Sequence, residues 1–233
     1  MPGTRNSGLL ALGGIALAAL LAVIGHVEVN EDLSPWSLTV SDYAVSDRGG
    51  VIDVAMVVLA LATAALLPAL RRAGATRRVG LLLLAWIGGL LLAAVVPTNE
   101  PGLPMDAAAY VHRYASVVAF LALPVGGWLL AGRLPHPAAR WVRGLALTSL
   151  VLAATMVWSA YPGERMLIGL VERVLILTEV TLIAFLAAAV ARSAAGRTTA
   201  LPGGAERRPG HHDSRRDVAP DDAAALLTPA RGA

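Results

Sequence analysis

Several charged and polar residues sit inside or beside strongly apolar stretches, where they need a partner, water or a purpose. His112 and Arg113 are adjacent, and Ser116 follows His112 by one helical turn, which puts the two on one face. Glu172 and Arg173 are also adjacent, and Glu179 lies two turns beyond Glu172 on the same face. Asp42, Asp47, Arg48 and Asp53 cluster between two apolar segments, and His26 closes the segment before them. A histidine beside a carboxylate suits general acid–base chemistry or a hard divalent metal, so His112 with Asp42, Asp53 or Glu172 forms the candidate catalytic set. Arginines suit phosphate or carboxylate through bidentate bonds. The candidate ligand set is therefore Arg113, Arg173, Asp47, Arg48, Ser116 and His26. No Gly-x-Ser-x-Gly or His-Glu-x-x-His spacing occurs, and the residues name no cofactor.

The elements that position these groups are helices. A membrane-spanning helix takes roughly 20 apolar residues. Six stretches qualify, at about 9–27, 51–70, 79–97, 110–131, 142–161 and 166–191. The 233 residues are 56% hydrophobic and only 15% charged, whereas soluble domains carry about 25% charge. Cysteine is absent, which excludes disulfides, thiolate metal sites and cysteine nucleophiles. Every basic residue is arginine, which fits GC-rich coding. The net charge of +3 does not imply a nucleic-acid partner, because the arginines flank apolar stretches as a topology signal does.

Loop charge sets the expected orientation. Arg71, Arg72, Arg77 and Arg78 form one purely basic loop, and Arg133, Arg140 and Arg143 belong to another. Arg5 precedes the first span, while Arg192 and Arg197 follow the last. With six spans all of these fall on one side, the cytoplasm by the positive-inside rule. The expectation is an all-α bundle of six transmembrane helices in the cell membrane, with both termini cytoplasmic. Residues 1–192 form the membrane domain. Residues 193–233, rich in Ala, Gly, Pro, Arg and Asp with no apolar periodicity, read as a disordered tail. His211 and His212 in that tail read as solvated residues rather than a metal site.

This topology brings His26, Asp47, Asp53, His112, Arg113, Glu172 and Arg173 to similar depth near the outer face. One reading is interhelical glue, with Arg113 pairing to Glu172 or Asp53 and Arg173 to Asp47. The other is a pocket open to the outside. Glu179 falls near mid-membrane with no cation at its depth, so it is either a proton relay or cation site, or an acid bonded to Thr155, Thr178 or a backbone carbonyl. The first outer loop is unusually apolar and aromatic. It is expected to fold back over the bundle, with Trp36 and Tyr43 in the headgroup layer and Ser41-Asp42 and Ser46-Asp47 as cap or turn residues. Pro124, Gly126 and Gly127 are expected to interrupt the fourth helix.

The stretch from Ser37 to Asp47, then Val96-Pro97-Thr98-Asn99, then His112-Arg113-Tyr114-Ala115-Ser116, resembles the bacterial and archaeal membrane family catalogued as domain of unknown function 998. Asn99 stands where that family often carries an Asp. The resemblance covers about residues 9–191, implies the six-helix fold, and implies no activity. Three functions fit the residues. The chain could bind or process a lipid or other anionic amphiphile at its outer face. It could be a small proton-coupled transporter using Glu179. It could also be a structural membrane protein whose charges serve packing alone.

Overall fold

A computed structural model describes residues 2–29, 33–46, 50–100 and 103–199. Eight helices are present among them, and no strand. They are α1 (Pro2–Val29), α2 (Val40–Ser46), α3 (Val51–Ala64), α4 (Leu67–Arg72), α5 (Arg77–Val95), α6 (Ala107–Ala131), α7 (His136–Ala160) and α8 (Ile168–Thr199). Six spans are long and apolar enough to cross a membrane, with α3 and α4 together making the second. The chain is a multi-pass membrane protein.

The spans close into a ring in chain order. α1 packs on α3, α3 on α5, α5 on α6, α6 on α7 and α7 on α8, and α8 returns to α1. The interior is filled by Trp86, Leu123, Leu182 and Ile183, all fully buried. Leu10, Val95, Leu177 and other large side chains stay exposed on the outward faces, as a lipid-facing surface requires. Small residues set the closest approaches, because packing rather than the hydrophobic effect joins helices in lipid. At Gly89 a Cβ would stand 2.7 Å from the carbonyl oxygen of Ala115 and 3.0 Å from the Ala119 methyl. No side chain fits there without parting α5 from α6.

The helix ends depart from the expected boundaries for local reasons. α7 begins six residues before the expected start at 142, with Pro135 as N-cap and Pro137 in its first turn. Proline lacks the N–H that a first turn leaves unbonded anyway, so it starts a helix well. Arg140 and Arg143 are thus helical rather than loop residues. Thr76 caps α5 by accepting from Val79 N, and Asp106 caps α6 by accepting from Ala109 N. The fourth span is not interrupted: α6 runs unbroken through Pro124, Gly126 and Gly127, all buried. The proline break falls in the second span, where Pro68 cannot donate to the preceding turn and α3 ends at Ala64. α8 continues to Thr199, past the expected end at 191. The expected disorder of the remaining tail lies outside the described residues.

Candidate functional site

The polar residues gather at the end of the ring where α1 finishes and α3 begins. The connection between those helices does not run free. Thr39 caps α2 in a reciprocal box: its hydroxyl accepts from Asp42 N at 3.1 Å, and an Asp42 carboxylate oxygen accepts from Thr39 N at 2.8 Å. Residues 33–40 then strap across the start of α8. Trp36 O accepts from Gly169 N at 3.1 Å. The Arg173 Nη1 group donates to the carbonyls of Pro35 (2.9 Å), Leu38 (2.8 Å) and Gly169 (2.9 Å). Val40 N donates to Glu172. Gly169 makes the approach possible, since a Cβ there would collide with the carbonyl oxygens of Leu38 and Pro35.

Tyr43 sits under this strap rather than in the headgroup layer. It is 3% exposed and stacks on His26 with ring centroids 4.8 Å apart. The Arg173 guanidinium lies 4.7 Å from its ring centroid, and its hydroxyl donates to Leu33 O at 2.8 Å. The amphipathic ring belongs inside because it finds both a cation for its face and a carbonyl for its hydroxyl. Trp36 is 57% exposed.

The expected pairing of Arg113 with Glu172 gives way to other contacts. Arg173 bonds backbone carbonyls, and its expected partner Asp47 lies outside the described residues, as does Arg48. Glu172 is buried and accepts from Val40 N instead of an Arg113 guanidinium. Arg113 is exposed and has no ion pair among the described residues. Among the described residues an ion pair joins Arg165 to Asp42 at 2.9 Å. The sequence offers Arg165 only as a loop charge. Three residues of its turn, Glu164, Arg165 and Leu167, carry positive φ, and this strained backbone returns the arginine toward α2.

Two cavities open on the strapped end. One, of about 450 Å³, occupies the ring interior and is almost wholly apolar, with His26, Glu172 and Arg173 at its polar edge. The second, of about 360 Å³, lies among α6, α7 and α8. Asp42, His112, Arg113, Ser116, Arg165 and Glu172 line it, against an apolar wall that includes Phe120, Leu150, Val157 and Leu175. Ser41, Ser116, Phe120 and Glu172 border both. The structure thus brings His112, Arg113, Ser116, Asp42 and Glu172 to one cavity, and His26 and Arg173 to the other. Asp53 is half-buried near Gly50 and lines neither.

Inside the second cavity, His112 is held at both ring nitrogens. Nδ1 is 2.8 Å from Val96 O, and Nε2 is 2.9 Å from Ser41 Oγ. A carbonyl can only accept, so the Nδ1 proton points at Val96. A neutral ring then leaves Nε2 bare, and Ser41 donates to it. Ser116 Oγ donates to the backbone carbonyl of His112 at 3.0 Å, which fixes its face of α6. Ser41 and His112 are 71 residues apart in the chain, so no spacing rule could pair them.

Glu179 stands apart from both cavities, 2% exposed. Its partner is Trp86, whose indole N–H donates to one carboxylate oxygen at 3.2 Å. Thr155 and Thr178 bond carbonyls of their own helices instead. The other Glu179 oxygen has no partner among the described residues.

Residues 12–190 match the family model described as a protein of unknown function (DUF998). The chain belongs to that family. No curated protein and no solved structure matches it.

Proposed function

We propose that the second cavity binds, and processes, an anionic amphiphile drawn from the outer leaflet of the cell membrane. The observation that carries this reading is the lining itself. Arg113 and Arg165 line it together with an apolar wall of α6 and α7 side chains. Guanidinium groups take phosphate or carboxylate oxygens in a planar fork, while the wall accepts an alkyl chain. Arg165 is already engaged by Asp42, with the arginine side chain 46% and the aspartate side chain 11% exposed. A ligand anion would share the exposed side of the Arg165 guanidinium, with Asp42 keeping its own bond to it.

The test is native mass spectrometry of protein extracted in mild detergent. Wild type should retain lipid, and the Arg113→Ala/Arg165→Ala double variant should lose at least about nine-tenths of it, corresponding to 1.4 kcal/mol or more. Equal lipid retention in the two proteins would refute the reading.

The same reading places the strapped end outside the cell and both termini in the cytoplasm, in keeping with the arginines clustered at 71–78 and 133–143. The chain has no cysteine, so single-cysteine labelling is clean. Ser37→Cys should react with an impermeant maleimide on intact cells, and Ala73→Cys only after the membrane is opened. The opposite pattern would invert the topology.

A further inference from the structure

We propose that Ser41 and His112 form a nucleophile–base dyad that hydrolyses an acyl ester of the amphiphile held in the second cavity. The inference rests on the binding reading above and adds a reaction to it. Serine is a weak nucleophile unless a base at hydrogen-bond distance takes its proton, and that base must itself be oriented. All three parts are present. Ser41 Oγ lies 2.9 Å from His112 Nε2. His112 Nδ1 is fixed by Val96 O at 2.8 Å, which selects the tautomer with its bare nitrogen facing the serine. The ring is 5% exposed, so bulk water does not compete for it.

The orienting group differs from the usual carboxylate. Val96 is the C-cap of the 19-residue α5, so its carbonyl stands at the negative end of a helix dipole. A cation is stabilised there. The positive charge that His112 acquires when it takes the serine proton thus meets favourable potential at the end of α5. Ser41 borders both cavities, and His112 lines the second with it. Arg113 and Arg165 in the same lining supply cations for an anionic substrate and for charge developing on its carbonyl oxygen.

The steps balance without an external oxidant or metal. Ser41 Oγ attacks the ester carbonyl carbon while its proton passes to His112 Nε2. The tetrahedral adduct collapses, the bond from carbon to the alcohol oxygen breaks, and the leaving alcohol takes the proton from His112. Water then attacks the acyl-serine, giving one proton to His112. The carboxylic acid departs, and Ser41 recovers its proton from the ring.

The experiment uses the full-length protein in detergent and a long-chain alkyl fluorophosphonate, which bonds phosphorus to an activated serine and releases fluoride. Wild type should acquire one adduct, located on Ser41 by peptide mass spectrometry. Ser41→Ala should acquire none, and His112→Gln should react about 100-fold or more slowly while keeping its helical circular dichroism. No adduct on Ser41 in folded wild type, or an equal rate in His112→Gln, overturns the dyad. If His112→Gln does not fold, hydrolysis of p-nitrophenyl palmitate decides between wild type and Ser41→Ala, both of which keep the bond from His112 to Val96. Turnover lost in Ser41→Ala supports the dyad, and turnover retained overturns it. Lipid retained by Ser41→Ala with no adduct on wild type removes the dyad and leaves the binding reading standing. An adduct on wild type that never retains lipid does the reverse.

Discussion

Trp86→Ala should destabilise the bundle by about 3–5 kcal/mol, among the largest losses of any single substitution in the ring interior. Trp86 is 1% exposed and is the largest fully buried side chain. In lipid the loss comes from packing and polar satisfaction rather than from transfer to water. Removing the indole opens a cavity between helices that sit in close contact. It also takes away the donor that Glu179 bonds at 3.2 Å, and the second carboxylate oxygen already lacks a partner among the described residues. A buried polar group stripped of its hydrogen bond costs about 1–3 kcal/mol on its own. Trp86→Phe weights the polar contribution more heavily, because it keeps an aromatic six-membered ring while losing the N–H and the smaller ring that carries it. Its expected cost is about 1–3 kcal/mol. Titration with a denaturing detergent, read by tryptophan fluorescence or circular dichroism, measures both. Equal and negligible losses in the two variants would mean that Glu179 does not depend on the indole.

The contrast between Glu179 and its partner shows what a sequence of this kind reveals. Span number and order follow from hydropathy alone, because a bilayer demands about 20 apolar residues each time. Glu179, Glu172 and His112 also stand out, since each breaks an apolar run. Their partners do not stand out. Trp86 is one more apolar residue in an apolar helix, and its N–H matters only because the ring closes α5 toward α8. Arg165 reads as a loop charge until three positive-φ residues turn it back to Asp42. Ser41 reads as cap chemistry, and Thr39 and Asp42 supply that cap instead. Long-range pairing depends on helix rotation and loop path, and hydropathy encodes neither. Breaks behave likewise. Pro124 lies mid-helix and is accommodated, while Pro68, unremarked in the sequence, ends α3 because the chain is already turning there.

Arg173→Met should release the strap and cost about 3 kcal/mol. One guanidinium nitrogen serves three carbonyls, two of them in the strap, at 2.8 to 2.9 Å. Hydrogen bonds to a charged donor are worth about 1.5–3 kcal/mol each, but three bonds sharing one nitrogen do not add. The contact with Tyr43 contributes about 1 kcal/mol more. Methionine keeps the stem volume and removes every donor, so it isolates the polar contribution. Arg173→Lys keeps the charge but presents a compact ammonium in place of the fork, and should fall between wild type and methionine. The loss should be local before it is global. Thr39 and Val40 end the strap, Ser41 follows it, and all three border the cavities, so hydrogen exchange at the amides of Val40 and Gly169 should quicken in Arg173→Met while the α5 and α6 amides stay protected. If exchange at Val40 and Gly169 is unchanged, the strap is held by Gly169, Glu172 and Tyr43 without the arginine. If α5 and α6 quicken equally, the strap is not a separate unit and the whole ring opens with it.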